Sequence, residues 1–194
     1  MALKTPIRID GRDWSLFKDY DKPYYPYLSL RGKIEYLEKR GQLILLDPLE
    51  EIKKKSLGAE KDEYYWLCLV TLVCCGIEAV GGYLIGRDRI GRNRDAFTEF
   101  VRKYMRPYAR YRFELWKYFR NALAHGFCIE RGSVELKLKK PAQRIKGIVK
   151  INADKFLDWF RKAFFNYIQD LRNAKRKTKR VKSFEKTWNW IFLT

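Results

Sequence analysis

Apolar residues recur at three- and four-residue spacings along most of this chain and alternate with polar ones in one short part. The pattern predicts a mainly α protein, a helical bundle with a small antiparallel β-sheet inserted after the fourth of five periodic stretches. In the first, Ser29 opens a helix through about Lys39, with Ile34 and Leu37 on one side and Gly41 as the expected stop. In the second, Tyr64 to Ile85, Trp66, Val70, Val73, Ile77 and Leu84 form a stripe, and Leu69 and Leu72 make the segment apolar nearly all round. The third carries Phe97, Phe100, Val101 and Tyr104, with Asp95 as the expected cap and Pro107 as the break. The fourth repeats Tyr111, Leu115, Tyr118, Phe119, Ala122 and Leu123, and Gly126 is its stop signal. In the fifth, Asn152 caps a helix whose stripe runs through Phe156, Trp159, Phe160, Ala163, Phe164, Tyr167, Ile168 and Leu171.

Between the last two, Ser133 to Lys139 alternates Val134, Leu136 and Leu138 with Glu135, Lys137 and Lys139. Phe127 to Glu130 is the expected partner strand across Arg131-Gly132, and Ile145, Gly147, Val149 and Ile151 suggest a third. Residues 1–27 hold Pro6, Pro23 and Pro26 among tyrosines and charges, and read as an extended arm. Residues 1–194 form one domain, with 1–60 an arm and helix packed on it and 172–194 a basic tail with a Trp-rich end.

Tyr64 to Ile85 is long enough to span a bilayer. Glu78 inside it, three internal glycines and the lack of a second such segment favour a buried central helix without stable membrane insertion. A carboxylate there is costly unless paired, and the arginines offer partners. Glu78 is thus either a structural buried ion pair or a residue that positions Arg120 or tunes His125. Cys68, Cys74, Cys75 and Cys128 include no Cys-x-x-Cys pair, and with one histidine there is no zinc constellation and no cofactor to expect. Reduced thiols buried in an apolar stretch, and an N-terminus without the apolar core of a signal peptide, fit a cytoplasmic protein.

The formal charge of +19, from 42 basic and 23 acidic residues, changes the picture from a bundle to a bundle with a polyanionic partner. Nucleic acid is the first candidate and an anionic membrane surface the second, a solvated basic surface is the ordinary alternative, and charge alone does not separate the three. The loop Gly86 to Arg94 carries four arginines, and Arg172 to Lys186 holds eight basic residues against one acid. Arg87, Arg89, Lys175, Arg176 and Lys177 are the candidates for phosphate contact.

The chemistry points to Tyr111–Phe127, which holds the one histidine of the chain, His125, with Arg120 and Asn121 just before it. On a regular helix Asn121 and His125 share a face, whereas Arg120 lies about 140° from His125. One copy therefore converges poorly on a small target, and two copies about a twofold axis would surround a shared cleft. RNA is cleaved by its own 2′-hydroxyl when a group titrating near neutrality moves the proton and a cation holds the charge at phosphorus. Histidine suits the first task and arginine the second.

Arg120-Asn121-Ala122-Leu123-Ala124-His125 resembles the Arg-x4-6-His signature of the HEPN (higher eukaryotes and prokaryotes nucleotide-binding) superfamily, and YFRNALAHGF is similar to the motif helix of its small prokaryotic members. The resemblance implies a helical homodimer and a metal-independent endoribonuclease leaving 2′,3′-cyclic phosphate ends, in a toxin, defence or RNA-processing setting with an antitoxin or regulatory partner. Arg120 and His125 would be catalytic and Asn121 would orient. The superfamily also includes inactive nucleotide-binding and regulatory modules. His125-Gly126-Phe127 departs from the His-x-Tyr continuation of several toxin members.

Overall fold

The computed structural model describes residues 8–9, 12–13, 28–58, 63–123, 129 and 131–193. His125, Cys128 and most of the 1–27 arm lie outside them. Within the arm, β1 (Arg8–Ile9) pairs antiparallel with β2 (Arg12–Asp13). The protein is mainly α with one small three-stranded sheet besides.

Ser29 caps α1 (Leu30–Arg40), its hydroxyl accepting from the Gly32 N–H at 3.1 Å. The helix does not stop at Gly41. Gly41 keeps right-handed helical angles, and the chain passes through a π-helical segment, Gly41–Leu46, into α2 (Asp47–Gly58). A β-carbon at Gly41 would stand 2.4 Å from the Phe164 ring, so this glycine serves packing rather than termination.

The apolar segment is the central helix, α3 (Glu63–Ile85), against which α2, α4 (Asn93–Tyr104) and both C-terminal helices pack. Leu69, Val70, Val73 and Ile77 are fully buried. By length and composition α3 passes as a membrane span, as a core helix of this kind also does. Its glycines decide how closely α4 approaches, since a β-carbon on Gly81 would lie 2.1 Å from the Ala96 carbonyl oxygen. Gly86, at φ +71°, ends α3 in a Schellman turn in which the Arg87 N–H donates to the Gly82 carbonyl at 3.0 Å. Asp95 does not cap α4. It sits in the first turn, paired with Arg92 at 3.6 Å, where its charge suits the helix dipole.

After Pro107 the expected regular helix is instead a 3-10 turn (Arg106–Tyr111), a single turn α5 (Arg112–Glu114) and a π-helical segment (Leu115–Asn121). The predicted stripe is buried at Tyr111, Leu115, Phe119, Ala122 and Leu123. In the sheet, β3 (Gly132–Val134), β4 (Ala142–Ile145) and β5 (Ile148–Ile151) lie in the order β3-β5-β4. Its pairing is mixed, with β3 parallel and β4 antiparallel to β5, whereas alternation alone suggested antiparallel strands throughout. Ile145 and Ile148 flank a tight turn through Lys146 and Gly147, both at positive φ, rather than sharing one strand.

Asn152 caps α6 (Ala153–Arg172), accepting from the Lys155 N–H at 2.8 Å. Its stripe is buried as predicted except Trp159, which is half-buried at the rim. The basic stretch expected as a tail divides in two. Residues 173–178 form a turn, and α7 (Lys179–Leu193) seats Val181, Phe184 and Trp188 in the core with no exposed surface.

Candidate functional site

Glu78 brings two arginines together. It lies three-quarters of the way along α3, and its carboxylate accepts from Arg120 Nε at 2.6 Å and stands 3.7 Å from Arg87 Nη1. All three side chains are 13–16% exposed. The Schellman turn sends Arg87 back over the helix end, and Gly82 leaves room for it, since a β-carbon there would meet its guanidinium at 3.1 Å. Arg87 Nη1 also donates to Asn93 Oδ1 at 3.1 Å, and Thr187 of α7 sits 2.8 Å from the Arg87 carbonyl.

Each guanidinium stacks on an indole, Arg120 on Trp116 at 4.6 Å and Arg87 on Trp190 at 5.4 Å. Two cations share one acid, which leaves a formal charge of +1 in a mostly dry setting. Such a cluster holds its members in place, because removing one partner leaves a buried charge uncompensated. Among the described residues Nε is the one Arg120 nitrogen with a hydrogen-bond partner, so the two terminal nitrogens keep their donors. A guanidinium anchored through Nε still carries donors on its terminal nitrogens, the groups that bind a phosphate oxygen.

The remaining sequence candidates divide. Asn121 is exposed and has no hydrogen bond among the described residues. His125 follows on the same chain segment, outside them. Arg89 is exposed in the α3–α4 loop, whereas Arg87 is taken up by the cluster and is no free phosphate contact. Lys175, Arg176 and Lys177 are exposed in the α6–α7 turn, and Arg176 lines a 650 Å³ cavity with Arg31 and Arg172 beside the first turn of α1. Trp116 and Asn93 are absent from the residues the sequence points to, and Trp190 figures there only as part of the Trp-rich end. The spacing of four between Trp116 and Arg120 was the available signal, while the other two arrive from distant helices.

Next to Glu78, α3 exposes Tyr65, Cys68, Leu72, Cys75 and Ala79, a stripe at alternating three- and four-residue spacings. The expectation that the thiols of this stretch are buried holds for Cys74 alone, whose thiol burial pushes far above its ordinary value. Cys68 and Cys75 lie on the exposed stripe. Among the described residues no cluster of His, Cys, Asp or Glu could hold a metal ion. Compared with protein-family models, with curated proteins and with solved structures, the chain matches none.

Proposed function

We propose that this protein is a metal-independent endoribonuclease acting as a homodimer, with Arg120 holding the phosphate and His125 moving the proton. The observation that carries the reading is the anchored Arg120, fixed through Nε by Glu78, five residues before the one histidine of the chain. In the reaction the 2′-hydroxyl of the substrate loses its proton to a base and attacks the adjacent phosphorus. Arg120 stabilises the charge on the equatorial oxygens, and the 5′-oxygen leaves with a proton from an acid. The products are a 2′,3′-cyclic phosphate and a 5′-hydroxyl. One chain offers a single imidazole for two proton transfers, so a second copy supplies the other. The exposed Tyr65–Ala79 stripe on α3 supports that pairing, since it has the a/d spacing of a helix seam and runs beside the cluster.

The engagement of Arg120 by Glu78 also favours a second reading, a module that binds RNA or a nucleotide without cutting it. Incubation with labelled RNA in EDTA decides between them. Cleavage to cyclic-phosphate ends that is lost in His125→Ala and Arg120→Ala, both shown folded, supports the nuclease. Intact RNA bound in a salt-sensitive way supports the module.

A further inference from the structure

A second concentration of cations lies away from the Glu78 cluster, in a groove of 440 Å³ between the C-terminal end of α4 and the outer face of α6. Lys103 and Arg106 form one wall, and Trp159, Lys162, Asn166 and Gln169, spaced three, four and three apart on α6, form the other. Helical spacing puts these four on one exposed face, where the rest of the α6 pattern would call only for solvated polar residues. The half-buried Trp159 is the exception that the core stripe left out.

What sets the groove apart is its charge balance. The one acid in its lining, Asp170, is already engaged, accepting from Tyr104 Oη at 2.8 Å and pairing with Arg180 at 3.1 Å. Among the described residues Lys103, Arg106 and Lys162 form no ion pair, so three cations share one concavity with a single acid that already pairs with Arg180. Burial and the nearby Arg180 hold the Lys103 ammonium below its ordinary value against the opposing pull of Asp170 and Glu99. The Lys162 ammonium rests 5.1 Å above the Trp159 ring, a contact it can leave for a phosphate, freeing a flat apolar surface for a base. Two side-chain amides stand beside that surface, with the donors and acceptors a base edge requires. A groove of this volume falls in the range of small-ligand sites.

The geometry points to a nucleoside phosphate site in this groove: Lys103, Arg106 and Lys162 hold the phosphate, Trp159 stacks the base, and Asn166 and Gln169 meet its edge. The ligand is either a free nucleotide or one unit of a single-stranded RNA. This inference goes beyond the ribonuclease reading and does not rest on it, because occupancy is read at the groove whether or not RNA is cut.

The test is a titration of the ¹⁵N-labelled full chain followed through the Trp159 indole N–H and the Asn166 and Gln169 amides, with AMP, inorganic phosphate and a short 2′-O-methyl RNA that cannot be cleaved by its own hydroxyl. Saturable shifts of these three groups with AMP or with the RNA, and weaker ones with phosphate, are expected. AMP active alone identifies the free nucleotide as the ligand, and the RNA active alone identifies the strand. In parallel, Arg106→Glu with Lys162→Glu should weaken RNA binding by roughly tenfold or more, and Lys139→Glu with Lys140→Glu, an equal charge change elsewhere, by much less. Absence of shifts with every probe, or, where the RNA shifts these groups, equal losses in the two double variants, would overturn the site.

Discussion

The two cationic clusters are built on opposite principles. At Glu78 the positive charges are mostly buried and an acid lies among them, so Arg87 and Arg120 are fixed in place by the surrounding fold. In the α4–α6 groove the cations line an open surface, and the one acid of its lining, Asp170, is taken up by Tyr104 and Arg180. Buried cations need a permanent partner because desolvation penalises them heavily. Cations at a surface tolerate its absence and can take an exchangeable anion instead. One cluster fixes its cations beside a permanent partner, and the other leaves them at a surface without an ion pair among the described residues.

Breaking the first arrangement should give the largest effect. Glu78→Ala strands two arginines and is expected to cost about 3–5 kcal/mol in urea unfolding, with Glu78→Gln recovering part of the loss through its amide oxygen. A midpoint that hardly moves would show that the cluster is not held together by the carboxylate. Gly81→Ala reaches both regions at once, because α4 carries Asn93 to the Glu78 cluster and Lys103 to the groove. Its β-carbon would meet the Ala96 carbonyl, so the helices must part, at a cost of about 2 kcal/mol, with reduced RNA affinity as the second readout.

Smaller changes sharpen the contrast at the groove. Asp170→Asn removes a charged acceptor from Tyr104 and leaves Arg180 without its counter-charge. It should lower stability by about 1 kcal/mol and raise the affinity for AMP, since the groove then has one negative charge fewer. A fall in affinity would mean that Asp170 belongs to the binding surface. Lys103→Met should have the smallest effect on folding, a slight stabilisation. The Lys103 value is lowered in the fold from its ordinary 10.5, so the penalty on its charge is fully present below the folded value. It fades as pH rises toward 10.5, and the gain from Lys103→Met should fade over the same window, as paired melts across alkaline pH would show.

Much of the fold was legible because its causes are local. Ser29 and Asn152 cap helices within three residues of themselves, and the Phe156–Leu171 stripe needs only the helical period to be read. The errors fall where a distant residue intervenes. Gly41 has the appearance of a stop, yet the ring of Phe164 fills the space its missing side chain leaves, and the helix runs on. Lys175 to Lys177 read as part of one basic run to Lys186 ahead of an apolar end expected to dock on the fold or a partner; Trp188 does dock, but α7 already starts within the run at Lys179 and separates an exposed turn from a core helix. The π-helical winding at Leu115–Asn121 has no signature in a periodicity that both windings satisfy over so few residues.

The candidate site divides along the same line. By itself the sequence determined that Glu78 lies inside the most apolar segment of the chain, where a carboxylate is costly unless paired, and that the chain carries a formal charge of +19. Arg120 and His125 as a pair for phosphate chemistry, and a polyanionic partner, are expectations drawn from it. Only the tertiary structure decided that Arg120 and Arg87 are the cations, that Trp116 and Trp190 face them, and that Lys103 and Arg106 meet the Trp159–Gln169 face of α6 across a groove. The reason is physical. The cost of burying a charge is a property of one residue and its neighbours along the chain, whereas the identity of its partner depends on which helices pack together, and that is set by contacts between residues far apart in sequence.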